Sequence, residues 1–429
     1  MRKSIFLRTA VGFSAAAVIL GASACSSPAD PGTSTAPETS ASPMETESGS
    51  MLMPAGTGDP FADARTAAGH MPMTATTLAG GFVGALDIPG EVESDAANLR
   101  ADLTSLLQEH VYLAGMAVAT AYHAGADSAQ FEAAAAALDT NSVDLSEAVA
   151  SLSDEEQGAA FLELWRQHIG FFVDYAVAVE GGDQAAADEA LMQLQGYTEE
   201  AGAFFESISG GELPADAVAE SLTMHVDTLS AAIDAFAAGE PNATDVLQEA
   251  AGHVVMSAET LSGGLAAAAG LEGDVSDEAS TLRSQLVAGL QEHVYLAGIA
   301  VFTAYTAEGG PESPAFEGAA ATLDANSVAL SEAIGSLAGE ENGTAFLELW
   351  REHIGFFVDY AVAIAGDDAA GAEQALADLD DYRPTAGAFF EEISAGELPA
   401  DAIAEGLGMH VETLAGAIDS LKEQLVDAG

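Results

Sequence analysis

Cysteine, basic residues and strand-like alternation are all scarce in this chain. Its 429 residues include one cysteine, Cys25. One cysteine excludes an intrachain disulfide, a thiolate metal cluster and the CxxCH haem attachment. Only 10 Lys and Arg stand against 68 Asp and Glu, a formal net charge of −58. Arg2, Lys3 and Arg8 precede Cys25 and every acidic residue follows it, so a chain starting at Cys25 has 7 basic residues, 68 acidic ones and a net of −61. Such a surface repels nucleic acid and anionic lipid headgroups. It attracts cations in general without specifying a site. Enzyme signatures are missing too. There is no Glu-x-x-His, no HExxH, no P-loop and no GxGxxG opening a helix after a strand. These absences argue against a ferritin-like di-iron centre, a zincin, and nucleotide-binding α/β folds. No hydrolase triad assembles with any specificity, so the balance leans away from an enzyme.

What is present begins with an export signal. Arg2, Lys3 and Arg8 precede an apolar run from Ala10 to Leu20, which is followed by small residues. The run is too short for a permanent membrane span. It ends Leu20-Gly-Ala-Ser-Ala-Cys25, which resembles the lipobox of bacterial lipoproteins, with Ala22 where that pattern usually has Leu. The resemblance implies a signal peptide over 1–24 and lipidation of Cys25. The protein would then sit outside the cytoplasm, tethered to the outer face of the cytoplasmic membrane. Residues 25–58 are rich in Ser, Thr, Pro, Glu, Ala and Gly, which is the composition of a disordered tether.

The rest is an internal duplication. FLELWRQHIGFFVDYAVA at 161–178 returns as FLELWREHIGFFVDYAVA at 346–363, and LLQEHVYLAGMAVATAY at 106–122 as GLQEHVYLAGIAVFTAY at 289–305. The offset grows from 183 to 185 residues because a loop near 308–314 gains two. Unit 1 spans 59–241 and unit 2 spans 242–429. Apolar residues recur at helical spacing, and Gly and Pro punctuate the joints. Helices are expected near 60–86, 94–123, 128–152, 155–180, 184–209 and 214–238, with equivalents in unit 2. Within each unit a helical hairpin of about 57 residues repeats, since His168 and His225 are 57 apart. The predicted class is therefore all-α, with two tandem six-helix bundles. In each, the first and last helices of the unit would close the ring. The EHVYLAG pattern, with Asn or Tyr on the partner helix, resembles exported helical-hairpin repeat proteins of Gram-positive bacteria, and that resemblance carries no activity.

Eight of the nine histidines form equivalent pairs: His70/His253, His110/His293, His168/His353 and His225/His410. They persist while Met116 has become Ile299 and Ala119 has become Phe302. His110, His168 and His225 each lie mid-helix on an apolar stripe, so in an antiparallel bundle they fall at one level. They are candidate metal ligands, with His293, His353 and His410 as the second set. His70 or Met73, and His253 or Met256, are candidate fourth ligands, because His-x-x-Met puts both side chains on one helical face. Pro72 should kink the helix beside His70. Imidazole suits Zn, Cu, Fe or Ni, and a thioether tilts the choice to copper. The expected function is a lipoprotein that binds a transition metal, copper favoured, for sequestration or delivery. The alternatives are an interaction module with purely structural histidines, bonded to Glu109, Asp139, Asn141, Asp174 or Tyr197, and a haem-binding or enzymatic bundle.

Overall fold

Thirteen α-helices and one 3-10 turn account for the architecture of residues 52–426, the span that the computed structural model describes. The lipobox, Cys25 and most of the proposed tether lie outside the described residues. The helices are α1 (Pro60–Gly69), α2 (Met71–Leu86), α3 (Asp95–Ala124), α4 (Ala129–Leu152), α5 (Glu155–Gly181), α6 (Gln184–Ile208) and α7 (Ala215–Ala238). There follow α8 (Ala243–Ala269), α9 (Glu278–Thr306), α10 (Pro314–Ala338), α11 (Glu340–Ala365), α12 (Ala369–Ile393) and α13 (Ala400–Leu425). No strand occurs among the described residues, and the class is all-α.

Local chemistry sets the ends. Ser94, Ser128, Asp154, Asp277 and Ser313 each accept a hydrogen bond from a backbone N–H in the first turn of the helix they precede. That satisfies donors a helix start leaves open. Gly182, Gly239 and Gly270 end α5, α7 and α8 in the left-handed conformation. The expected kink at Pro72 is a full break. His70 closes α1 and opens α2, with Pro72 in the first turn of the new helix. In the equivalent α8, Val255 replaces that proline and the helix runs through.

The packing follows the hairpins but not the repeat boundary. Neighbouring helices α3 to α8 pack in sequence, and α8 returns onto α3 to close a ring. A second ring takes α9 to α13 and is completed by α1 against α13 and α2 against α9. Thus the first helix of each repeat completes the other repeat's ring. The expected closure of each unit by its own first and last helices is corrected. The described residues fall in one compact unit. A physical reason lies in the joint between α7 and α8, where four residues, Gly239 to Asn242, turn the chain back. A loop this short makes α8 the antiparallel neighbour of α7. Gly115 then lets α8 approach α3, since a Cβ there would lie 2.4 Å from Leu247 Cδ2.

The rings share the interface between α3 and α9. Tyr112 and Tyr295 stack across it with centroids 5.3 Å apart. Tyr112 donates to Glu292 at 3.0 Å and Tyr295 to Glu109 at 3.2 Å, an approximately two-fold arrangement. Loops cross in the same symmetry: Ala96 N–H donates to Glu272 O, and Ala279 N–H to Pro89 O, both at 3.0 Å. Among the described residues α9 is the one helix long and apolar enough to cross a membrane, but 67% of its apolar window is buried in the protein.

Candidate metal centre

In the first ring three helices lie inside and three outside, and in the second α1 and α2 together take one of the outer places. α3, α5 and α7 touch one another and bring their mid-helix histidines together. His110, His168 and His225 each offer one ring nitrogen, and the three atoms lie within 4.8 Å of one another. His293, His353 and His410 repeat this on α9, α11 and α13. Nε2 of His168 lies 3.4 Å from Nε2 of His110, and His353 and His293 reproduce the distance at 3.4 Å. A metal held at 2.0–2.1 Å by three nitrogens requires them about 3.4–3.6 Å apart. The first pair already meets that spacing.

The surroundings are apolar. All six histidines are buried, none more than 5% exposed. Trp165 packs against His168 and His110 with ring centroids 4.4 and 4.8 Å away. Tyr197 stacks on His168 at 4.7 Å, and Phe172 meets His225 at 5.8 Å. Trp350, Tyr382 and Phe357 take the same places in the second ring. The sequence does not mark these walls as site residues. The one available signal is that Trp165 sits one turn before His168 on the same stripe.

Burial drives the imidazoles neutral. It holds His110 and His293 down to about 3, with repulsion from His225 and His410 adding to the effect. It holds His225 and His410 down to about 4, helped by His253 and His70 respectively. His168 and His353 fall well below the ordinary histidine value, by burial first and then by the two neighbouring imidazoles. The carbonyl of Trp165 offsets a little of the drop at His168, although its contact with Nδ1 falls short of hydrogen-bond geometry.

Both ring nitrogens of His225 are buried without a hydrogen-bond partner, as is Nδ1 of His110, His168, His293, His353 and His410. The partners that a purely structural role would use are engaged elsewhere. Glu109 and Asn141 bond each other at 3.1 Å, and Glu109 also pairs with Arg65. Asp139 is bound bidentately by Arg166 at 2.6 and 2.8 Å. Asp174 is exposed, and Tyr197 offers His168 its ring face.

The remaining candidates lie outside the triads. Met73 and Met256 are 60% and 62% exposed. His253 Nε2 donates to Ser221 O at 2.9 Å, while its Nδ1 is buried and unpartnered. The helix exchange reassigns the fourth histidines: His253 stands by His225 of the first triad, and His70 by His410 of the second. The pairing of His70 with His110, His168 and His225 is thereby corrected. No family model matches this chain, and it is similar to no curated protein and to no solved structure.

Proposed function

We propose that each histidine triad binds one transition-metal ion, most favourably copper(I), and that the protein sequesters or delivers the metal as an exported lipoprotein anchored through Cys25. The observation that carries the reading is the convergence of three neutral, buried imidazoles on one point, repeated in both rings. A buried polar atom without a partner costs on the order of 1–3 kcal/mol. Ligation would remove that cost at His225, whose two ring nitrogens both lack a partner.

Charge favours the monovalent ion. The triads contain no carboxylate, so a divalent ion would keep both charges in an apolar interior. The cost of burying an ion rises with the square of its charge. Three imidazoles match a d¹⁰ ion without demanding a fourth ligand. The exposed thioethers of Met73 and Met256, one turn from His70 and His253, suit first capture of a soft ion at the surface. Bulky aromatic walls and the burial of all six histidines favour holding the metal over catalysis with it.

Metal analysis of protein purified without a histidine tag and reconstituted with copper(I) tests the reading. Two equivalents per chain are expected, falling to one in the His110→Ala/His168→Ala/His225→Ala variant. Two equivalents in that variant, or substoichiometric metal in the unaltered chain, would overturn it.

A further inference from the structure

The second ring contains an apolar cavity of about 370 Å³. Its first-ring counterpart has shrunk to about 50 Å³. We propose that the larger cavity is a binding site for one neutral, apolar small molecule.

The walls are Val301, Tyr305, Phe316, Ile354, Phe357 and Leu414. Each has the same residue type at its first-ring equivalent: Val118, Tyr122, Phe131, Ile169, Phe172 and Leu229. The difference lies at the rim. Glu180 and Ala126 border the first cavity, whereas Pro311, on the 3-10 turn of the longer loop, borders the second. Ala365 stands there in place of Glu180. The mouth carries Val358 and Val362, which are 46% and 59% exposed. Apolar side chains at an entrance and an apolar interior behind it describe a route for an uncharged ligand.

The polar groups nearby are already matched. Tyr305 donates to the Ala361 carbonyl at 2.8 Å. Arg351 and Asp324 at the rim hold each other through bonds of 2.6 and 2.7 Å. Nothing is left to bind a carboxylate or an ammonium, and the net charge of −58 repels anions. The volume is within the range of small-molecule sites. Scaled from the 150 Å³ that accepts benzene, it admits a ligand of about fifteen heavy atoms. Phe357 forms the inner wall and contacts His410, with ring centroids 5.7 Å apart. The ligand would therefore lie beside the second triad and not the first.

The test titrates metal-free protein with the smaller neutral fluorophore 1-aminonaphthalene, which is within that size limit, so its outcome is separate from that of the metal reading. One probe per chain is expected. Ala361→Leu and Ala300→Leu, which add bulk to the cavity wall, should each weaken binding by about tenfold. Ala176→Leu, the first-ring counterpart of Ala361→Leu, should leave it unchanged. Circular dichroism identifies any filled variant that does not fold, and the other then decides. Absence of saturable binding, or equal weakening by Ala176→Leu, would overturn the proposal. Xenon pressurisation of crystals of the unaltered chain gives a second reading. Xenon between Val301 and Leu414 supports the site, and xenon confined to other places contradicts it.

Discussion

At the residue scale the histidines make the protein acid-sensitive. In metal-free protein their folded pKa values lie below the unfolded value of about 6.5, at about 3 for His110 and His293 and about 4 for His225 and His410. Between those limits the unfolded chain binds protons that the folded chain refuses. Stability should therefore be flat above about pH 7 and fall as pH drops from about 6.5 towards 4, by up to about 1.4 kcal/mol per pH unit for each histidine. Carboxylate protonation acts in the opposite sense at the bottom of this range, by relieving self-repulsion. Urea unfolding at a series of pH values measures the slope, and a His225→Gln/His410→Gln variant should show a shallower one. A second residue-scale prediction concerns Glu109, which is 4% exposed and paired with Arg65. Arg65→Ala leaves that charge unpaired and should cost about 3–5 kcal/mol. Arg65→Gln should cost less, because Gln248 is the equivalent residue and donates to Glu292 at 2.7 Å. Denaturant midpoints of the two variants decide the order.

At the scale of single helices most of the structure is legible in the sequence. Spacing of apolar residues locates the helices, and the steps of 58 and 57 residues between His110, His168 and His225 place them at one level. The methionines depart from expectation for a geometric reason. Residues three apart on a helix differ by about 60° in direction. His253 sits at the inner edge of its stripe, 8% exposed, and that rotation carries Met256 over to solvent at 62%. Close packing of α8 on α3 depends on Gly115, whose absent side chain leaves room for Leu247. Gly115→Leu should force the helices apart and lower the thermal midpoint by several degrees, as overpacking of about 1–3 kcal/mol implies. At Gly298, its repeat equivalent, an added Cβ would meet no atom within 4 Å. Gly298→Ala should be tolerated or mildly stabilising in the same melt, since alanine is the better helix former.

At the scale of the whole molecule the exchange of first helices is the feature the sequence conceals. The two copies are so alike in sequence that the repeat itself does not tell which ring α8 or the α1–α2 pair completes. Only connection length separates the alternatives, and the short turn from Gly239 to Asn242 decides for α8 beside α7. A fragment spanning 91–275 contains a complete ring with His110, His168 and His225. It should fold cooperatively and alone. The repeat fragment 59–241 lacks α8 and should be less helical and unfold at lower denaturant, as circular dichroism would record. Equal stability of the two fragments would contradict the exchange.

In the proposed function, metal is held by buried imidazoles rather than by the acidic surface or the exposed methionines. X-ray absorption on protein loaded with two equivalents of copper(I) tests it most directly. The account predicts three nitrogen scatterers at about 2.0 Å with imidazole outer-shell features and no sulfur. A sulfur shell, or oxygen ligation without imidazole, would contradict it.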